Sequence, residues 1–458
     1  MVRGILARIG GPVRRGSLGG AGLKAVQAGL TVLAGIALAR WLGPEAFGAY
    51  AFAYAVVTLL ALPAAMGFPQ LVVRETARAE QAGQWALLRG LWGWCTRRVL
   101  GVAGALAGLL AGIAGLALLA GVGGTRELAL LWGAALIPLI ALGNLRGAAL
   151  RGLRHPILGQ LPELLLRPGL FLLLLVAGFW VAGLAPRADL AMALHAGAAA
   201  LAFATGAWLL ARHRPAPVAG VTAPVTRGSD WWQAAWPLGL LGGFHLITQQ
   251  VDLVMLGLLR PDAEAGLYRV AVQAALLVVF GLQAINDVVA PYLARLHGAG
   301  EREALQRLVR RAARGMLAAA LPVALLFVLA GETVLTLLFG AEYAGAWPAL
   351  VLIALGQLVS AALGPAGMLL NMTGHERTTL RVMGFAAGLN VVLNAALIPF
   401  WGLVGAALAS LITLSAWNIL LWLAVRRHLG MDSSALGLRA WFRPTPNDPS
   451  PNDNGSAC

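Results

Sequence analysis

The sequence predicts an all-α polytopic membrane protein with twelve transmembrane helices, arranged as two six-helix bundles in parallel repeat. Three observations lead there: the scarcity of charge, twelve apolar segments in two groups of six, and a one-sided placement of arginine. Hydrophobic residues fill 59% of the 458 positions and charged residues only 12%, with a mean hydropathy of +0.78. A water-soluble domain carries about 25% charged residues to cover its surface. A chain this poor in charge is solvated by lipid, and its apolar stretches should come at the roughly 20-residue length a bilayer requires.

The apolar segments follow at that length. The first six are residues 18–39, 48–68, 99–119, 128–145, 161–183 and 190–210; the last six are 236–259, 266–293, 316–339, 347–370, 382–400 and 402–425. The run HRPAPVAGVTAPVTRGSD between the groups is rich in proline and polar residues and reads as a linker. The chain thus divides into an N-terminal bundle over 1–212, a cytoplasmic linker over 213–230, a C-terminal bundle over 231–427 and a cytoplasmic tail over 428–458, polar and proline-rich toward its end and expected to be disordered. The first segment runs longer than a signal h-region and has no small-residue cleavage site before its charged end, so it reads as a spanning helix. Trp231, Trp232 and Trp236 fit an interfacial anchor where the seventh helix begins.

Lys and Arg resist translocation and accumulate in cytoplasmic loops. With the N-terminus inside, 27 of the 34 basic residues fall on the cytoplasmic side, from Arg3 and Arg8 to Arg439 and Arg443, with the largest cluster at Arg295, Arg302, Arg307, Arg310, Arg311 and Arg314. An odd number of helices would scramble this pattern, so both termini are expected in the cytoplasm. The net charge of +15 comes from short clusters between apolar runs and makes no continuous stripe for nucleic acid. Cys95 and Cys458 are the only cysteines and imply neither a disulfide framework nor a thiolate metal site.

The halves share a motif. Helix one exits through Pro44-Glu45-Ala46 and then Gly48-Ala49-Tyr50; helix seven exits through Pro261-Asp262-Ala263 and, with one inserted residue, Gly266-Leu267-Tyr268. The exits of helices four and ten, 143–152 and 364–374, correspond more loosely. An offset of six helices is even, so the halves share one orientation. Paired bundles enclosing a cavity can rock and open it to either side in turn, which favours transport over a static scaffold.

The run from Ala39 to Tyr50, Ala-Arg-Trp-Leu-Gly-Pro-Glu-Ala-Phe-Gly-Ala-Tyr, resembles the start of the polysaccharide transporters, the O-antigen flippase-like branch of the fold shared with multidrug and toxin extruders. Further similarity lies in Asp252-Leu253-Val254-Met255-Leu256-Gly257, in Leu338-Phe339-Gly340-Ala341-Glu342-Tyr343, and between Asn390 and Ala407. The resemblance spans roughly 16–427. It implies a MATE-like V-shaped pair of bundles in a bacterial inner membrane that flips undecaprenyl-diphosphate-linked oligosaccharides for O-antigen, lipopolysaccharide or exopolysaccharide assembly, together with other polysaccharide-assembly proteins. The alternatives are an ion-coupled multidrug exporter of the same fold and, third, a glycan polymerase or ligase. The outer loops are too short to build the platform that such an enzyme needs, so no enzyme is expected.

An ionisable group at mid-membrane is costly unless paired or wetted, and depth ranks the candidates. Asp252 lies seven residues, about 10 Å, before the end of helix seven. Gln249 is nearly one turn from it, and Arg269 on the next helix is close enough in depth to pair with it. Asp252 and Gln249 are therefore coupling or gating candidates for H+ or Na+, against the alternative of a salt bridge that merely ties two helices. A diphosphate calls for charge-assisted bonds, and Lys24, Arg74, Arg146 and Arg269 are the candidate cations, the first three ringing an inward-facing mouth. Snorkelling to headgroups competes for Lys24. Glu163 and Arg167, four apart, read as a self-neutralised pair near the inner interface. Asn390 and Asn394 read as helix-packing amides, and Asp287 as a water-facing cap. His155, His195 and His245 occur singly with no acid at metal spacing, and no Gly-x-x-x-x-Gly-Lys loop occurs, so neither a metal, a cofactor nor a nucleotide is expected.

Overall fold

The computed structural model describes residues 11–437; Arg3, Arg8, Arg439, Arg443 and Cys458 lie outside them. In chain order the helices are α1 (Gly11–Ala65), α2 (Phe68–Gln81), α3 (Trp85–Leu119), α4 (Thr125–Gly152), α5 (Pro156–Val181), α6 (Ala188–His213), α7 (Ala216–Gly220), α8 (Gly228–Leu259), α9 (Asp262–Gly298), α10 (Arg302–Phe339), α11 (Ala341–Leu363), α12 (Ala366–Met372) and α13 (Glu376–Leu429). Among the described residues, nine of these are long and apolar enough to cross a bilayer. Two of the nine hold a pair of expected segments each. α1 and α13 have 55 and 54 residues, about 80 Å at 1.5 Å per residue, well over the ~30 Å hydrocarbon core.

Each long helix is broken where the sequence places an exit. Gly43 (φ 70, ψ 172) interrupts α1 just before Pro44, and Gly402 (φ 52, ψ −128) interrupts α13 three residues after Pro399. Both conformations lie in the left-handed half of the map, which glycine reaches without a Cβ penalty. The other expected segments fall within α3 to α6 and α8 to α11, with α8 adding a further 32-residue helix. The tenth segment, expected over 347–370, ends early: α11 stops at Leu363, and the short α12 resumes after Gly364-Pro365. Gly364 leaves the helical region at φ 73, a conformation glycine reaches without a Cβ penalty, and Pro365 after it has no N–H to extend the helix.

Amphipathic spacing places α2. Phe68, Leu71, Val72, Thr76 and Ala79 are buried, one stripe at helical period, which lies against α3 and α4. α1 is the seam of the molecule, packing on α4, α5 and α6 and also on α8 and α9. Here the repeated exits meet. A Cβ at Gly48 would collide with the Asp262 carbonyl, and one at Gly266 with the Pro44 carbonyl, so both glycines allow backbone-to-backbone approach. Arg126 bridges Asp262 at 3.1 Å beside this contact.

The segment between α6 and α8 is fastened down. Val218 is buried, Arg89 donates to the carbonyls of Ala219 and Val221, and Val225 N donates to Ala86 O at 3.1 Å. The expectation of a disordered tail from residue 428 is corrected over its described part. α13 continues to Leu429, and Met431 to Ala435 form a buried strap. Ser433 Oγ donates to Leu363 O at 2.8 Å, Ala435 N to Ala362 O at 2.8 Å, and Gln306 exchanges two hydrogen bonds with the Asp432 backbone. Small polar side chains can substitute for backbone partners in a short segment, a pattern without periodicity that composition does not reveal.

Candidate functional site

Side chains four apart stack on one helix face, and three such stripes converge at the seam. α1 contributes Gln27 and Thr31, then Tyr50 and Tyr54; α5 contributes Glu163, Arg167 and Phe171. With His195 of α6, Gln250 of α8, and Arg269 and Gln273 of α9, they line a cavity of about 270 Å³. One wall is aromatic. The Tyr50 hydroxyl lies 2.8 Å from His195 Nδ1, and the His195 ring stacks on Phe171 at 4.2 Å and on Tyr54 at 5.0 Å between centroids. Two cations adjoin it. Arg167 Nη1 is 3.3 Å from Glu163 Oε2, with both side chains less than a fifth exposed, yet Nη1 lacks the alignment of a hydrogen bond. Arg269 has no carboxylate partner among the described residues. Two guanidinium groups and one carboxylate therefore line the same cavity. Gln273 Nε2 donates to Thr31 O and Val32 O at 3.2 and 3.0 Å, tying α9 to α1 along the cavity edge.

A second cavity, about 150 Å³, lies between α8, α9, α11 and α13 and is lined by Gln249, Asp252, Tyr268, Asn390 and Ser410, among others. Asp252 is buried in its lining. Its carboxylate accepts from Asn394 Nδ2 at 2.6 Å, from the Tyr268 hydroxyl at 2.8 Å and from Ser410 Oγ. The side-chain oxygens of Asn390 and Asn394 are buried without donors. Carboxylate, amide and hydroxyl oxygens gathered in this way suit a hard cation or a proton. The repeated motif thus ends alike in both halves: Tyr50 reaches a buried histidine, and Tyr268 a buried aspartate.

Two family models, both described as polysaccharide biosynthesis protein, match residues 15–131 and 172–348. The probable low-salt glycan biosynthesis flippase Agl15 of Haloferax volcanii is 21% identical over 180 residues, which are 39% of this chain and 38% of that protein. Among solved structures, an inward-facing multidrug resistance MATE family transporter of the MOP superfamily aligns with a TM-score of 0.71 at 16% identity, covering 88% of this chain and 95% of that one. The lipid II flippase MurJ, in an inward closed conformation, aligns with a TM-score of 0.68 at 12% identity, covering 89% of this chain and 87% of that one. Two stretches of the chain thus match polysaccharide biosynthesis families, and its fold is that of the MATE-like transporters.

In this fold the expected site residues separate. Arg269 lines the seam cavity, and Gln249 and Asp252 share the second one. The expected Asp252–Arg269 pair does not form. Arg269 follows Tyr268 on α9, so the two side chains leave the helix about 100° apart, and only Tyr268 faces Asp252. Lys24, Arg74 and Arg146 line neither of these two cavities. Lys24 is exposed and lies 3.9 Å from Asp287 across the seam, so Asp287 has an ion partner besides water. Arg74 pairs with Glu75 at 2.9 Å. Arg146 donates to Phe203 O at 2.8 Å and stacks over the Phe203 ring, and it lines a small pocket next to Glu163 rather than the seam cavity.

Sequence reasoning underrated Arg167, Glu163 and His195. The fifth helix was expected to begin near residue 161; α5 begins at Pro156, which sinks Arg167 about 16 Å from that end rather than near the interface. His195 lies seven residues into α6, as deep as Asp252 lies in α8. Depth would have singled it out; testing it only for metal spacing did not.

Proposed function

We propose that this transporter flips an undecaprenyl-diphosphate-linked oligosaccharide, a precursor of O-antigen, exopolysaccharide or a related polymer, across the bacterial inner membrane by alternating access. It catalyses no covalent step. The observation that carries this reading is the presence of Arg167 and Arg269 in the lining of one cavity at the seam that holds a single carboxylate, Glu163. Guanidinium groups removed from bulk water bind phosphate oxygens through charge-assisted, often bidentate hydrogen bonds. The stacked wall of Tyr54, Phe171 and His195 beside them suits the flat face of a sugar ring, and the glutamine amides suit its hydroxyls. The bundles over 1–212 and 231–427 rock about α1, with both termini in the cytoplasm. Asp252, supported by Gln249, couples the cycle to H+ or Na+. Lys24 and Arg146 act at most outside the seam cavity, and Arg74 is committed to Glu75.

The exporter reading draws on Asp252, a buried carboxylate of the kind a cationic drug seeks. Its oxygens are already filled by Asn394, Tyr268 and Ser410, and its cavity is the smaller of the two, so the flippase reading stands first. Deleting the gene should leave a lipid-linked oligosaccharide accumulating on the inner leaflet, restored by the wild-type gene and not by Arg269→Ala. If deletion instead sensitised cells to cationic drugs while polymer output stayed normal, the exporter reading would replace it.

A further inference from the structure

The sequence of α10 changes character once. Arg302, Arg307, Arg310, Arg311 and Arg314 occupy its first turns, and no charged residue follows until Glu332. Eighteen residues from Arg314 to Glu332 rise about 27 Å, close to the ~30 Å hydrocarbon thickness. Arg314 therefore stands at the boundary of the apolar layer. Below it on the same face, at spacings of three and four, Leu321, Leu325 and Leu329 are 43%, 48% and 82% exposed, a flank of the protein that meets lipid tails.

At the top of this flank the strap after α13 makes a roof. Arg314 Nε donates to Ala435 O at 3.3 Å, and Leu436 beyond it is 72% exposed. Between them opens a groove of about 460 Å³, lined by Arg314, Leu317, Ala318, Leu321, Ala435 and Leu436. Its lining has a single charge, and that charge is positive. Two nearby carboxylates lie outside the lining: Glu303 is 3.5 Å from Arg307, and Asp432 is buried, its Oδ1 accepting from Trp422 and Ser434. Arg311, one turn above on the same face, and Arg314 have no carboxylate partner among the described residues.

We propose that this groove is a binding site for an anionic phospholipid, with the phosphate on Arg311 and Arg314 and one acyl chain along Leu317, Leu321 and Leu325. The site is separate from the seam cavity and independent of the flippase reading. A cation at the hydrocarbon boundary attracts an anionic headgroup, each such residue contributing on the order of a fivefold change in binding, while the groove below removes the first part of the chain from contact with neighbouring lipid.

Native mass spectrometry of the full-length protein, released from detergent containing equal phosphatidylglycerol and phosphatidylcholine, tests the site. The expected result is preferential retention of one phosphatidylglycerol, weakened about fivefold by Arg314→Gln and largely preserved by Arg314→Lys, which keeps the charge but not the Nε contact with Ala435. Leu321→Glu should also weaken it, and Arg377→Gln, outside the groove, should not. Equal retention of the two lipids, or retention indifferent to Arg314→Gln, would overturn the proposal. So would tighter lipid retention by a chain ending at Gly437, because the remaining tail would then be the occupant.

Discussion

Arg269 and Asp252 face different cavities, and their substitutions should fail differently. Losing a charge-assisted hydrogen bond to a phosphate costs about 1.5–3 kcal/mol, so Arg269→Ala should slow transport roughly tenfold or more under any imposed ion gradient. Asp252→Asn should instead abolish the response to a proton or sodium gradient, as measured by transport into vesicles with and without that gradient; an unchanged response would remove Asp252 from coupling. Asp252 was legible because a carboxylate in an apolar run has few innocent explanations. His195 was less so, since a neutral imidazole among alanines passes for a packed residue until Tyr50, Tyr54 and Phe171 are seen around it. Asp432 lies beyond the last span and makes a prediction about pH. Burial alone would raise its carboxyl, but hydrogen bonds from Trp422 and Ser434, with the field of Arg310, outweigh burial and hold it below the usual carboxylate range. A depressed folded-state value stabilises the fold above the unfolded value, about 3.9 for Asp, and the contribution is lost as pH falls through the folded value. Thermal unfolding in detergent should therefore show Asp432→Asn less stable than wild type at neutral pH, with the gap closing well below pH 4; a constant gap would assign the effect to packing.

The helices themselves were the most legible feature, because the bilayer sets their length and the exits carry Gly-Pro or Pro with Gly. Their interruptions at Gly43 and Gly402 fall where the sequence placed exits. What the pattern hid was contact between distant exits. Gly48 and Gly266 looked like two copies of a motif, and the structure packs them together. Gly48→Val or Gly266→Val should push α1 from α9 and lower stability in detergent by about 1–3 kcal/mol, whereas Gly29→Ala, whose Cβ would meet nothing within 4 Å, should be neutral or slightly stabilising. Equal effects from all three would contradict a tight seam. The strap over 431–435 escaped notice for a different reason. Its Asp-Ser-Ser run has turn-like composition, and only the partners on α10, α11 and α13 make it ordered.

Over the whole molecule, charge is sorted by place: two arginines and a single carboxylate line the seam cavity, and a lone carboxylate lines the second cavity. On the proposed function, a cationic cavity at a seam would be the physical basis for moving a lipid-linked anion past the apolar core. The direct test is to reconstitute the purified protein in vesicles with an undecaprenyl-diphosphate-linked oligosaccharide and follow, over time, the glycan exposed to an impermeant lectin. The expected result is rapid equilibration between leaflets with the wild-type protein and exposure no faster than in protein-free vesicles with Arg269→Glu. Equilibration at the wild-type rate by Arg269→Glu, or none by the wild type in either gradient direction, would contradict the account.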